Sequence, residues 1–187
     1  MKKALFATVI LLAAGCGGED GNRSQSNAAA PEAAARSEQP KTHLFQVLSG
    51  SADHKTLVDA VKAAGLSETL SGAQPYTVFA PTEAAFAKLP SGGAGLLAPD
   101  AKGRLVPLLT GHIVPGLVTA EDLGRAIDRG KGKAQLATVG GSNLTFAKDG
   151  GSIVVADSAG GRALVTGAER LASNGVVHSV DGVLKGK

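Results

Sequence analysis

Residues 41–187 are predicted to form an α+β domain, with helices gathered in the first half and strands in the second. Three observations carry that expectation. From His54 to Ile127 the apolar residues recur mainly at helical spacing. After about residue 134 the period drops to two, with glycine-bearing turns between short runs. The two patterns are segregated along the chain rather than alternating, which argues against repeated βαβ units.

The elements follow in order. In "HKTLVDAVKAAGL", residues 54–66, Leu57, Val58, Val61 and Ala64 share one helix face, and Gly65 stands where a glycine ends a helix. "YTVFAPTEAAFAKLP", residues 76–90, opens with a β-prone run, Thr77, Val78, Phe79 and Ala80. Pro81, which has no N–H to donate, is expected to stop the ladder. Thr82 can cap the helix "EAAFAKL", and Glu83 falls in its first turn, where the macrodipole favours an anion. Phe86 and Leu89 point inward, so Phe79 and Phe86 are expected core anchors. A glycine loop comes next, then a helix with the stripe Leu105, Leu108 and Leu109, in which Pro107 must lie in the first turn or impose a kink. "GHIVPGLV", residues 111–118, reads as extended. Thr119 and Asp122, three apart, look like a capping box for one more helix.

From Ala134 to Leu184 short strands are divided by Gly140-Gly141, Asp149-Gly150, Gly160-Gly161 and Asn174-Gly175, which predicts an antiparallel meander. Asn174 and Gly175 are expected to form a tight, positive-φ hairpin into the last strand. Asp181, before Gly182, is expected to bond backbone amides of the turn it enters.

The N-terminal segment stands apart. Lys2 and Lys3 precede an apolar stretch of 11 residues, Ala4 to Ala14. That is shorter than the roughly 20 residues a membrane-spanning helix needs, but suits a secretory signal. It ends in "LLAAGC", where Cys16 is the single cysteine of the 187-residue chain. The stretch resembles a bacterial lipobox, although Ala13 stands where leucine is commonest. That resemblance implies cleavage after residue 15, a diacylglyceryl thioether on Cys16, and N-acylation. The acyl chains would exceed the two-signal threshold for stable anchoring. Gly17 rather than Asp follows the cysteine, which favours the outer membrane or cell surface. Residues 16–40 contain no aromatic, Val, Ile or Leu. Such a segment buries too little apolar surface to offset its ordering entropy and reads as a disordered tether, about 25–30 Å end to end.

Charge and composition narrow the chemistry. From Lys41 on, 15 Lys and Arg face 12 Asp and Glu, a mild +3. Arg125, Arg129, Lys131 and Lys133 form the nearest thing to a basic patch, read here as a solvated loop. The mature chain has only Phe45, Phe79, Phe86, Phe146 and Tyr76 as aromatics. A nucleic-acid partner is not expected, because stacking platforms are missing. The four histidines, His43, His54, His112 and His178, are far apart and form no metal-ligand pair, so no metal and no cofactor are expected. "GRAIDRGK" fails the P-loop spacing, and Leu144 replaces the second flanking glycine of a nucleophile elbow.

Three blocks then resemble one family, the fasciclin domain: "YTVFAPTEAAFAKLP" at 76–90, "LLTGHIVPGLVTAEDL" at 108–123 and "NGVVHSVDGVLKGK" at 174–187. The resemblance covers 41–187 and implies a wedge of antiparallel strands with helices packed around it. It also implies a secreted or surface-anchored module for adhesion and extracellular protein contacts. By that resemblance His112 matches the histidine of a Tyr-His motif linked to integrin recognition in animal members. Here Gly111 replaces the tyrosine, so integrin-type binding does not transfer. His112, Ile113 and Val114 are the binding candidates that remain, and His178 belongs to the closing block.

The expectation is therefore a cell-envelope lipoprotein with no catalytic residues, a module for adhesion or protein binding whose partners are envelope or matrix proteins. The alternative is a small-ligand or lipid-binding envelope protein with a groove between helices and sheet. An enzyme would need His112 or His178 to meet a carboxylate or serine in a concave site.

Overall fold

Tyr76–Pro81 forms strand β1, which is apolar on both faces because both faces are covered. The structure is a computed structural model and describes residues 41–89 and 101–186, with residues 95 and 98 between them. The expected signal segment 1–15, the lipidation site Cys16, the tether 16–40 and most of the glycine loop lie outside the described residues. In chain order the remaining elements are α1 (Leu44–Ser49), α2 (Lys55–Ala63), α3 (Ser67–Ser71), α4 (Glu83–Ala87), α5 (Lys102–Thr110) and α6 (Ala120–Arg129). The strands are β2 (Ile113–Pro115), β3 (Lys133–Ala137), β4 (Asn143–Asp149), β5 (Ser152–Asp157), β6 (Arg162–Leu164), β7 (Arg170–Ala172) and β8 (Gly175–Val180). A 3-10 turn, Ala52–His54, leads into α2.

Two four-stranded sheets result, in the orders β2-β1-β8-β7 and β3-β4-β5-β6. The second is the antiparallel meander that the alternating pattern predicts. The last two strands leave it: β7 and β8 pair with each other, and β8 runs parallel to β1 from Tyr76↔Gly175 to Pro81↔Val180. Period-two patterning specifies a strand's buried face but not its partner, so this crossover was not legible as a meander's end. Nor does Pro81 stop the ladder. It closes the parallel register, and Thr82 N–H donates to Val180 O at 3.0 Å.

Because successive strand residues face opposite sides, β1 serves two cores. Val78 and Ala80 pack with α1, α2, α4 and α5 through Leu44, Leu57, Val61, Phe86 and Leu109. Phe79 points the other way, into Leu123, Ile127, Leu144, Phe146 and Val155 from α6 and the second sheet. Its ring lies 5.1 Å from that of Phe146.

Local rules hold the helices. Gly65, at φ 73°, completes a Schellman end for α2: Gly65 N–H donates to Lys62 O and Leu66 N–H to Val61 O, both at 3.0 Å. Thr119 Oγ1 caps α6 by accepting from Asp122 N–H at 3.2 Å, while Asp122 Oδ2 takes Thr119 N–H. Pro107 sits inside α5, past its first turn, and is exposed. Arg125 and Arg129 lie on α6 rather than in a loop, and Arg125 pairs with Glu121 one turn earlier. Among the described residues no helix is long and apolar enough to cross a membrane.

Candidate functional site

His112, Ile113 and Val114 follow α5, where the chain turns into β2. All three are 3% exposed or less. As surface binding candidates they are therefore corrected: Ile113 faces the helical core and Val114 the second one. His112 is wired to the backbone. Leu184 N–H donates to its Nε2 at 3.0 Å, so the ring hydrogen sits on Nδ1 and is donated to Leu108 O at 2.8 Å. Burial pushes its pKa down to about 4, against a smaller upward pull from the Leu108 carbonyl. Gly111 beside it has no room to spare: a Cβ there would lie 3.2 Å from the Pro107 and Leu108 carbonyl oxygens and 3.3 Å from Gly186 Cα.

His178 on β8 is also interior. Its Nε2 donates to Val118 O at 2.8 Å, its ring stacks on Phe79 with centroids 5.3 Å apart, and its Nδ1 has no partner. Desolvation lowers its pKa. His112 and His178 do not converge, because Phe79 lies between them: its N–H bonds His112 O, and His178 is its register partner on β8. Thr77, fully buried, donates to Gly116 O at 2.8 Å and accepts from Val118 N–H at 2.9 Å. Thr82 Oγ1 caps α4 by accepting from Ala85 N–H at 3.3 Å, and Phe86 of that helix is buried.

Two expected turn residues do different work from that read in the sequence. Asn174 does not adopt a positive φ. Its buried side chain accepts from Leu44 N–H at 2.8 Å and donates to Leu70 O at 2.9 Å and Gly72 O at 2.6 Å, tying α1 and α3 to the β7–β8 hairpin. Gly175 is required by close approach, since a Cβ there would clash with Tyr76 O and Leu44 Cδ1. Asp181 does not bond the turn it enters. Its Oδ1 accepts from Leu164 N–H of β6 at 2.6 Å and its Oδ2 meets Lys88 Nζ at 3.3 Å. The Leu164 amide is the main reason its pKa is lowered.

One concavity collects polar side chains. Asp53, Thr82, Thr166, Gly167, Ala168, Arg170 and Ser179 line a cleft of 270 Å³. Beneath it lies His54, 1% exposed, with Nδ1 3.0 Å from Ser51 Oγ and Nε2 3.3 Å from Ser179 Oγ. Burial lowers the pKa of His54, and the nearby Arg170 lowers it further. Sequence reading gave no signal for this cluster, because Ser179 is 125 residues from His54. Five of its seven lining residues carry polar or charged side chains. Among the described residues no three His, Cys, Asp or Glu side chains gather to hold a metal.

Comparison with known proteins fits this geometry. The fasciclin domain family model matches residues 52–186. Protein sll1483 of Synechocystis is 42% identical over 142 residues, 75% of this chain and 72% of that one. The transforming growth factor-beta-induced protein ig-h3 of Sus scrofa is 32% identical over 78% of this chain, which spans only 20% of that larger protein. Among solved structures, a FAS1 domain pair from the insect cell adhesion molecule Fasciclin I superposes with a TM-score of 0.67. It does so at 20% identity, over 77% of this chain and 51% of that one, a likeness of fold.

Proposed function

The chain belongs to the fasciclin domain family, and from that premise we propose that it is a non-catalytic adhesion module, tethered at the cell envelope and contacting envelope or matrix proteins. One observation carries the non-catalytic part. Three of the side chains that could do chemistry are spent on interior bonds: His112 on Leu108 and Leu184, His178 on Val118, Asp157 on backbone amides. Two histidines lie beside serines, His54 beside Ser51 and Ser179 and His43 beside Ser173 at 3.2 Å, and among the described residues no carboxylate bonds either ring. The His54 ring lies between two hydroxyls, Ser51 Oγ at Nδ1 and Ser179 Oγ at Nε2, and burial holds its pKa below the ordinary value.

The tether rests on the sequence of residues 1–40. Lipid on Cys16 would fix the chain to a membrane, and the segment to residue 40 would let the domain reach partners about 25–30 Å away. Cross-linking on intact cells tests the reading, together with mass spectrometry of the mature N-terminus. Discrete adducts with envelope or matrix proteins are expected, lost in Cys16→Ala, along with an acylated Cys16. An unmodified N-terminus and no specific adduct would overturn it.

A further inference from the structure

The cleft above His54 has chemistry that a contact module does not use. At 270 Å³ it falls just below the roughly 300–1,000 Å³ of drug-sized sites, so it suits a small metabolite. Ser179 Oγ lies on the cleft 3.3 Å from His54 Nε2, and its hydroxyl can donate or accept there. Thr82 Oγ1 accepts from Ala85 N–H, so its own hydrogen is free to donate. Arg170 adds a guanidinium.

Among the described residues the ion pairs are Lys88–Asp181, Arg125–Glu121 and Lys148–Asp128. Arg170 and Asp53 thus share one cleft, each without an ion-pair partner there. A simple anion would gain Arg170 but meet Asp53, and a simple cation would meet the reverse. An apolar ligand would desolvate both charges unpaired. An occupant carrying both charges would pair with both side chains. We infer that the cleft binds a small zwitterion of the α-amino acid class, its carboxylate on Arg170, Ser179 and Thr82 and its ammonium on Asp53.

Calorimetric titration of the purified full chain tests this, with glycine, L-alanine and L-glutamate as zwitterions and acetate and methylammonium as single-charge probes. At least one amino acid should bind about tenfold tighter than either single-charge probe. Arg170→Gln and Asp53→Asn, both at exposed positions, should each weaken it about tenfold while leaving the thermal melt in place. The inference is overturned if no zwitterion binds at about 10 mM, if acetate binds as tightly as the amino acids, or if either variant binds as well as the native chain.

Discussion

His112 illustrates what the interior demands of a single residue. Its folded-state pKa of about 4 lies below the ordinary 6.5, so between those values the unfolded chain binds a proton that the folded chain refuses. Stability is therefore complete above pH 6.5 and falls as pH drops through the window toward 4, by about 3 kcal/mol from this residue. His54 and His178 are lowered too, for the same first cause, and steepen the loss. Urea unfolding across that range should show the slope, and His112→Gln should flatten part of it. Truncation is a separate prediction. His112→Ala strands Leu108 O and Leu184 N–H, and should cost about 2–4 kcal/mol in the same measurement at neutral pH. The sequence offered His112 as a binding candidate. It could not show that Ile113 and Val114 split between two cores, because three residues of strand carry too little pattern to reveal burial on both faces.

Among the elements, short connectors do work that their length conceals. α1 and α3 have six and five residues, too few turns to show a period, and neither stood out in the sequence. Both are held from outside by Asn174. Asn174→Ala should destabilise the domain by about 2–4 kcal/mol, because Leu44 N–H and the carbonyls of Leu70 and Gly72 all lose their partner. Asn174→Asp should be damaging too, since a carboxylate can accept from Leu44 but cannot donate to two carbonyls. By contrast Thr82→Ala removes one longer cap bond and should cost about 1 kcal/mol. The caps at Thr82 and Thr119 and the stop at Gly65 were legible because capping is local. Asp157 was not: its carboxylate gathers Ala159 and Gly161 N–H from its own turn and Lys185 and Gly186 N–H from the C-terminal tail, across 28 and 29 residues.

For the whole molecule, the shared strand β1 is the decisive feature. It feeds Val78 and Ala80 to one core and Phe79 to the other, so unfolding either one alone would expose buried side chains of β1. Phe79→Ala should cost about 3–5 kcal/mol and lower the melting temperature in one cooperative transition. Separate transitions for helices and second sheet would refute the coupling. The α+β class was readable from segregated periodicities. The parallel β1–β8 pair joins the opening and closing blocks of the family resemblance, yet no local signal declares that they are neighbours.

The claim that the domain acts as a tethered contact module is tested most directly by attachment of cells to surfaces and to one another. A strain lacking the chain is compared with the same strain carrying either the native gene or Cys16→Ala. Attachment should fall without the chain and return with the native form but not with Cys16→Ala. Equal attachment in all three strains would contradict it.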